Sequence, residues 1–308
     1  MMISVLMTTF NGEKYVAYQM ESILRQTRKP DEVIIVDDNS TDQTVLIIKK
    51  FIAENKLDNW RIVVNPTNKG WRKNFHDSIL LTSGDIIFFS DQDDVWFKEK
   101  VEMQAGLIEK DRRVNIIGSS QIYFTNKPQS EPRILESQYR EISLKDKKNR
   151  LIIGCGGSTM AFRKSFYNDV KYYYKETMAH DDFLWKVGVI HGGLYMLSCS
   201  TIHRRLHGNN ASTKKRTYES SKIIIGKLIE IAESVYDYLE EKNGELSDYQ
   251  IKKKSIKRFI DGNKKRLEMI SRKKPIYCLR ILPYYPWIYN SMKTFLGDVM
   301  LTAFPKIR

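Results

Sequence analysis

The chain has 308 residues, of which 42% are hydrophobic and 29% charged, a balance typical of a globular protein rather than a disordered or bilayer-embedded one. No secretory leader and no apolar run of about 18 residues is apparent, so we expect a cytoplasmic protein. The net charge of +14 favours an anionic partner, whether nucleic acid, anionic lipid or a phosphorylated substrate. The three cysteines are too few and too scattered for a zinc site or a disulfide framework.

The N-terminal third alternates between apolar, β-rich runs and segments with helical periodicity. The runs are ISVLMTTF, EVIIVDD, WRIVVN and DIIFFSD, and the helices are predicted at residues 13–25, 41–55 and 72–82. Each crossover is long enough to return a parallel strand, so the pattern predicts an α/β fold with a mostly parallel central sheet. Ligands of such sheets bind beyond the carboxyl ends of the strands. The aspartates that end two of these runs are therefore predicted to face a cleft.

Further elements follow along the chain. We predict a helix over residues 98–109, a strand at VNIIGSS, and a polar loop over residues 126–150 that is a candidate lid or acceptor flap. The run LIIGCGGSTMAFR predicts a glycine-rich turn into a strand, HDDFLWKVGVI predicts a helix, and LYMLSCSTIHRR predicts a last strand.

The pattern changes to long charged amphipathic helices from residue 218 onward, divided at Gly244. We therefore predict an α/β domain at residues 1–215 and a C-terminal helical hairpin with a basic, aromatic tail at residues 216–308. Most of the excess lysine and arginine lies beyond residue 140. The aromatic, leucine and basic residues of the tail predict a surface that associates with a membrane, and the alternative interpretation is a helical dimerisation surface.

Three carboxylates crowd the sequence SDQDD at residues 90–94, where a buried strand is predicted to end. Alternate residues of an extended segment project to the same side, so Asp91 and Asp93 are predicted to face one divalent cation together. Oxygen ligands of this kind favour Mg²⁺ or Mn²⁺, and such a cation would hold a diphosphate. The alternative interpretation is an acidic turn that caps the following helix.

Six short motifs occur in order over residues 3–212. They are TTFNGEKY, IIVDDNSTDQT, NPTNKGWRKNF, SGDIIFFSDQDDVW, HDDFLW and RRLHGNN. Together they resemble glycosyltransferase family 2, and within that family the chain looks most like bacterial rhamnosyltransferase-type enzymes. The resemblance implies a GT-A fold, which is a nucleotide-binding α/β sandwich. It also implies an inverting transfer by direct displacement, without a covalent nucleophile.

The resemblance assigns a set of residues to the nucleotide of the donor. The implied set is Thr9, Asn11, Asp37, Asp38, Lys73 and Asn74. Of these, Asp38 would accept a hydrogen bond from the N3–H that uracil and thymine share, and Asp37 would support the same loop. The alternative interpretations are helix capping for the two aspartates and a solvated helix position for Lys73.

The resemblance also assigns residues around the diphosphate. Asp91 and Asp93 match a metal-binding D-x-D motif, and the flanking Asp94 would instead orient hydroxyls of the donor sugar. His207 is implied to lie near the diphosphate or the metal, with Arg205 at the matching arginine position. Without the resemblance, a lone histidine such as His207 is more often a surface or core residue than a ligand.

The catalytic base is expected in the motif HDDFLW. By resemblance, Asp181 aligns with the catalytic aspartate, and Asp182 is the second candidate. Adjacent residues on a helix face different directions, so only one of the two should reach the acceptor. The alternative interpretation is a helix N-terminus that carries acids because they interact favourably with the helix dipole.

The resemblance implies transfer of a sugar, rhamnose first, to a lipid-linked or polysaccharide acceptor in bacterial surface polysaccharide synthesis. The expected donor is dTDP-rhamnose, with UDP-hexoses as the second choice. We expect the tail to contact the inner face of the cell membrane. The sequence leaves open whether two copies of the chain form a homodimer.

Two other functions compete with this interpretation. A nucleotidyltransferase would need a glycine-rich phosphate loop, which TTFNGEKY lacks. Nucleic-acid binding is disfavoured because the basic residues are predicted to lie on helical surfaces without a known binding motif, and because the acidic cleft would repel phosphates unless a metal were present.

Overall fold

The computed structural model describes residues 1–125, 138–208 and 217–304. These residues form two compact units that interleave along the sequence. Unit 1 comprises the described residues of 1–141, 155–171 and 193–210, and unit 2 those of 142–154, 172–192 and 211–308. Two segments of the predicted α/β domain therefore group with the C-terminal helices, and the predicted boundary at residue 215 stays a prediction.

A mixed β-sheet is the centre of unit 1. Its strands are β1 (Ile3–Thr9), β2 (Glu32–Asp37), β3 (Trp60–Val64), β4 (Ile86–Ser90), β5 (Val95–Trp96), β6 (Ile116–Phe124), β7 (Tyr139–Glu141), β8 (Ala161–Arg163) and β9 (Leu194–Arg205). They lie in the order β3-β2-β1-β4-β8-β6-β9-β5, and β7 also pairs with β9. The first four strands in this order are parallel, as are β6 and β9. The pairings of β5, β7 and β8 are antiparallel, so the sheet is mixed beyond β4.

Helices cover the strands of unit 1, as the alternating pattern predicts. They are α1 (Val16–Leu24), α2 (Thr44–Glu54), α3 (Trp71–Ile79), α4 (Lys100–Lys110) and α5 (Lys164–Val170). Every residue of β1 and β4 is buried, which explains why these strands are continuously apolar instead of alternating. The buried side chains of β1, β2 and β4 form one hydrophobic core with those of α1 and α4.

The parallel strands end together at one edge of the sheet. Thr9 of β1 stands opposite Asp37 of β2, and Met7 of β1 stands opposite Ser90 of β4. The amide of Asp38 donates a hydrogen bond of 2.8 Å to the carbonyl oxygen of Thr9. The residues that directly follow β1, β2 and β4 therefore lie side by side, as the sequence predicts.

The predicted irregular loop over residues 126–150 is wrong in part. Residues 139–141 form β7, which pairs antiparallel with residues 195–197 of β9. A strand of three residues carries too little apolar pattern to be recognised from sequence. Residues 126–137 lie outside the described residues.

Unit 2 is helical in its described part. Its helices are α6 (His180–His191), α7 (Tyr218–Glu241), α8 (Tyr249–Arg272), α9 (Cys278–Ile281), α10 (Tyr285–Ile288) and α11 (Met292–Ala303). Helix α7 packs against α6 and α8, and α8 also packs against α9, α10 and α11. The predicted C-terminal helical region is confirmed, with Gly244 at a positive φ of 94° between α7 and α8. Among the described helices, none combines the length and the apolar character needed to cross a membrane.

Candidate functional site

The acids that follow β4 come together in a tight turn. One carboxylate oxygen from each of Asp91, Asp93 and Asp94 lies within 4.8 Å of the other two. Gln92 and Asp93 form a turn. The expectation that an extended segment would align alternate residues is therefore wrong, and the turn brings Asp94 to the same place as the other two acids.

The environment of Asp94 suits a bound cation. This side chain is almost fully buried, and its Oδ2 atom has no hydrogen-bond partner in the described part of the chain. Burial, with the negative charge of Asp93 adding to it, raises the pKa of Asp94 to about 7. A hard divalent cation would occupy the unsatisfied oxygen and relieve the repulsion between the acids. The donor set therefore fits Mg²⁺ or Mn²⁺.

The residues after β9 reach this acidic turn. His207 Nε2 lies 2.7 Å from Oδ2 of Asp93, and Arg205 Nε donates a hydrogen bond of 3.2 Å to the backbone oxygen of Asp93. The guanidinium of Arg205 lies over the rings of Tyr15 and Phe124, at 4.7 and 4.5 Å from their centroids. Both predicted residues therefore contact Asp93. Direct contact of His207 with a metal stays a prediction.

Gln92 connects the acidic turn to the loop after β1 through two hydrogen bonds. Its Oε1 accepts a hydrogen bond of 2.9 Å from the amide of Phe10, and its Nε2 donates one of 3.0 Å to the carbonyl of Phe10. A β-carbon on Gly12 would lie 2.2 Å from this Oε1 atom, so a side chain there would displace the amide of Gln92. The sequence analysis missed this residue, and the signal available was its position inside SDQDD.

Replacing Gln92 by alanine should weaken Mn²⁺ binding about tenfold, since residues that orient acidic ligands typically contribute 10- to 100-fold to metal affinity. Titration calorimetry with Mn²⁺ measures the affinity, and thermal unfolding measures stability. The matched control is Gln43→Ala, at an exposed glutamine of unit 1, which should leave Mn²⁺ affinity unchanged. Wild-type Mn²⁺ affinity in Gln92→Ala would show that the two hydrogen bonds do not position the acids.

Asp37 ties the ends of β1 and β2 together. Its Oδ2 accepts a hydrogen bond of 2.7 Å from Thr9 Oγ1, and its Oδ1 accepts one of 2.7 Å from the amide of Ser40. Asn11 joins the same network, because its amide donates to Ser40 Oγ and its Oδ1 accepts from the amide of Thr41. The structure thus places Thr9, Asn11 and Asp37 at the predicted sheet edge. Their contacts with a nucleotide stay predictions.

Asp38 shapes the loop between β3 and α3. Its oxygens accept hydrogen bonds of 3.0 Å from Asn65 Nδ2, 2.9 Å from the amide of Lys69 and 2.8 Å from the amide of Gly70. Gly70 has a positive φ of 80°, a conformation that suits glycine. The buried carboxylate therefore has a structural role in holding this loop, and its predicted contact with a pyrimidine base stays a prediction.

The pair at the start of α3 has two different environments. Asn74 is buried, and its Nδ2 donates a hydrogen bond of 3.2 Å to the carbonyl of Val36 while its Oδ1 accepts one of 3.0 Å from Asn65. Lys73 is half-buried, and its Nζ atom lies 3.6 Å from Oδ1 of Asp77 on the next turn of the helix. The hydrogen bond from Asn74 to Val36 therefore holds α3 against β2. The predicted nucleotide contacts of both residues stay predictions.

The two candidate bases lie in unit 2, in the first turn of α6. Asp181 is half-buried and accepts a hydrogen bond of 2.8 Å from the amide of Asp182. Asp182 is buried and forms an ion pair with Lys186, one turn further along the helix. Burial raises the pKa of Asp182, and the charge of Lys186 opposes that rise. Lys186 itself has no exposed surface, so Asp182 serves as its buried counter-ion.

The N-terminal part of the chain matches a known family. Residues 4–171, more than half of the chain, match the family described as Glycosyl transferase family 2. The chain belongs to glycosyl transferase family 2. This membership confirms the predicted enzyme class at the level of the family. It does not favour the nucleotidyltransferase or nucleic-acid-binding alternatives.

Curated relatives of this family 2 member are matched over part of their length. The chain is 34% identical over 135 residues to EpsE of Bacillus subtilis (strain 168), provisionally named a glycosyltransferase, covering 44% of this chain and 48% of EpsE. It is 27% identical over 125 residues to the UDP-Glc:alpha-D-GlcNAc-diphosphoundecaprenol beta-1,3-glucosyltransferase WfgD of Escherichia coli, covering 41% and 48%. It is 38% identical over 100 residues to the dTDP-rhamnosyl transferase RfbG of Shigella flexneri, covering 31% and 34%. The matches thus span about half of these relatives or less.

Solved structures share the fold over most of the chain. Residues 1–349 of TarS from S. aureus align with 98% of this chain and 81% of that chain, with a TM-score of 0.61 and 19% identity. The mannosyltransferase PcManGT of Pyrobaculum calidifontis, in complex with GDP-Man and Mn²⁺, aligns with 99% and 88%, with a TM-score of 0.59 and 13% identity. Together with the family match, these likenesses confirm the predicted GT-A fold.

Proposed function

We propose that this protein is an inverting glycosyltransferase that moves a sugar from a nucleotide-diphosphate donor to an acceptor hydroxyl. The observation that carries the proposal is the meeting of Asp91, Asp93 and Asp94 at the edge where the parallel strands end. Open α/β sheets bind nucleotides at this edge, and clustered acids there suit a cation that accompanies a diphosphate. Family membership supports the same reaction class.

The acidic turn is proposed to hold Mg²⁺ or Mn²⁺ through its three carboxylates. When bound, such a cation supplies Lewis-acid neutralisation of the departing nucleoside diphosphate. Arg205 and His207 fix the position of Asp93, and Gln92 fixes the turn against the loop after β1. The proposed nucleotide contacts come from the residues at the same edge: Thr9, Asn11, Asp37, Asp38, Lys73 and Asn74.

Asp181 is proposed as the base that takes the proton of the acceptor hydroxyl. As the acceptor oxygen bonds to the anomeric carbon, the bond from that carbon to the diphosphate oxygen breaks, and the proton passes to Asp181. The local structure supports this choice over its neighbour, because Asp182 is already paired with buried Lys186. The assignment otherwise rests on the resemblance of HDDFLW to the family motif.

The favoured donor is dTDP-rhamnose, with UDP-hexoses second. The name of RfbG, a dTDP-rhamnosyl transferase, supports rhamnose, whereas WfgD is named for UDP-Glc. The acceptor is proposed to be a lipid-linked or polysaccharide glycan of bacterial surface polysaccharide synthesis. The name of WfgD, which includes a diphosphoundecaprenol, supports a lipid-linked acceptor. Such an acceptor lies at the bilayer surface, so we propose peripheral contact with the inner face of the cell membrane.

A panel of nucleotide sugars, tested by thermal unfolding with and without Mn²⁺, distinguishes the donors. A ligand that binds only the folded protein at 100 times its Kd stabilises it by about 2.7 kcal/mol. We expect the largest Mn²⁺-dependent rise in Tm with dTDP-rhamnose, and GDP-mannose serves as the purine control. A larger rise in Tm with a UDP-hexose would make that sugar nucleotide the favoured donor in place of dTDP-rhamnose. No rise with any nucleotide sugar would contradict the proposed function.

A further inference from the structure

Helix α11 turns its large apolar side chains to solvent. Met292, Leu296 and Met300 are 55%, 52% and 56% exposed. Residues spaced by four lie on the same face of a helix, so these three side chains form one continuous row, here called the apolar stripe. Phe304, which directly follows the helix, is also exposed. The hydrophobic effect alone would turn such a face toward the protein.

The opposite face of α11 is held in the interior by polar contacts. Asp298 is fully buried and accepts hydrogen bonds of 2.6 Å from Arg266 Nε of α8 and 2.7 Å from the hydroxyl of Tyr289. Thr302 is buried one turn later and donates to the carbonyl of Asp298. Turning the helix to bury the apolar stripe would separate Asp298 from Arg266, which is strongly unfavourable for a buried ion pair. The exposed orientation is therefore fixed by the fold.

A second exposed apolar row lies on a neighbouring segment of unit 2. Ile276, Leu279 and Leu282 are all exposed. The turn at residues 275–277, which begins this row, packs against α11. The two rows therefore belong to adjacent elements, and together they are larger than the isolated apolar residues common on protein surfaces.

The charges around these rows are positive. Residues 269–297 contain no aspartate or glutamate, and Asp298 is buried. Lys273, Lys274 and Lys293 are exposed in the same segment. A second copy of the chain, docked symmetrically through this face, would place these cations opposite one another. An anionic bilayer would instead accept the apolar side chains and attract the lysines.

We propose that α11 and residues 276–282 form a surface that binds the leaflet of an anionic phospholipid membrane. The apolar stripe inserts at the boundary between headgroups and acyl chains, and the lysines contact the headgroups. This inference deepens the proposed function, because it specifies the residues through which the enzyme would reach a lipid-linked acceptor.

The test is co-sedimentation of the full chain with vesicles of phosphatidylcholine and phosphatidylglycerol. The triple variant Met292→Gln, Leu296→Gln, Met300→Gln should lower the partition coefficient about 100-fold, because three large apolar side chains no longer enter the bilayer. Its Tm should not fall, because the replaced side chains face solvent in the free protein. The matched control is Leu46→Gln with Leu80→Gln, two unit 1 leucines that are each 62% exposed, and it should bind vesicles like the wild type.

A second pair of substitutions tests the electrostatic part. Lys274→Gln with Lys293→Gln should weaken binding to the anionic vesicles about tenfold and leave binding to pure phosphatidylcholine unchanged. Wild-type vesicle binding by the triple apolar variant would overturn the proposal. So would a dimer, detected by analytical ultracentrifugation, that the triple variant abolishes while vesicle binding persists. No nucleotide sugar enters these assays, so their outcome is independent of whether the proposed transfer reaction is correct.

Discussion

Replacing Asp93 by asparagine should slow sugar transfer about 1,000-fold, because the acidic turn then loses one of the three carboxylates proposed to hold the cation. Mn²⁺-dependent stabilisation by the donor should disappear in the same variant. The metal-free protein should stay within about 1 kcal/mol of the wild type, because asparagine keeps the shape of the side chain and removes a charge that repels Asp94. Transfer kinetics and thermal unfolding with and without Mn²⁺ measure these effects.

The matched control for this substitution is Asp58→Asn, at an exposed aspartate of unit 1, which should leave both transfer and the Mn²⁺ response unchanged. An Asp93→Asn variant that keeps both the Mn²⁺-dependent rise in Tm and the wild-type rate of transfer would contradict a metal-binding role for Asp93. Loss of transfer with that rise intact would instead assign Asp93 a role in chemistry rather than in metal binding.

Substitutions of the two aspartates in the first turn of α6 should have different effects, one on the rate of transfer and the other on the stability of the fold. Asp181→Asn should lower transfer about 1,000-fold, within the range that a general base contributes, while donor binding and Tm are retained. Asp182→Asn should instead destabilise the fold by about 3–5 kcal/mol, because it leaves the charge of Lys186 buried without a partner. Transfer kinetics, donor titration and chemical unfolding of each variant give the comparison.

A double variant controls for the stability effect at Asp182. Asp182→Leu combined with Lys186→Met removes both charges, so most of the lost stability should return. If Asp182→Asn is fully stable but inactive, and Asp181→Asn is active, the roles of the two aspartates are exchanged. If both single variants transfer sugar at the wild-type rate, the base lies elsewhere in the chain.

The parallel half of the sheet could be predicted because its strands are continuously apolar. Residues of β1 and β4 are buried on both faces, and that requirement shows directly in runs such as IIFFS. The antiparallel additions could not be predicted in the same way. Strand β7 has three residues, of which two are exposed and one is a half-buried tyrosine, so it carries no apolar pattern. Its partner β9 lies far away in the sequence.

The site could be predicted where residue type and position in a motif were enough. Asp91 and Asp93 were identified by charge and by their place at the end of a buried strand, but the turn that adds Asp94 depends on local geometry. The role of Gln92 depends on the backbone of Phe10, which is remote in sequence. The pairing of Asp182 with Lys186 was accessible, because a lysine four residues after an acid in an otherwise apolar helix predicts a contact.

The orientation of α11 illustrates a limit of periodicity. The spacing of Met292, Leu296 and Met300 would conventionally predict that this face packs against the protein. The opposite result depends on Arg266, which meets Asp298 only after the chain has folded back from α8. A hydrophobic row therefore identifies a face of a helix, whereas the position of a buried ion pair decides which way that face points.

The hydrogen bonds of Asp38 bear on the thermodynamics of the proposed donor binding. Its carboxylate holds residues 65–70 through hydrogen bonds from Asn65, Lys69 and Gly70, all of which lie within the chain. The conformational entropy of that segment is therefore lost when the polypeptide folds, and a nucleotide bound as proposed would not have to order the segment again. Binding of the proposed donor beside this segment should accordingly show a small entropic penalty and little dependence on slow rearrangement.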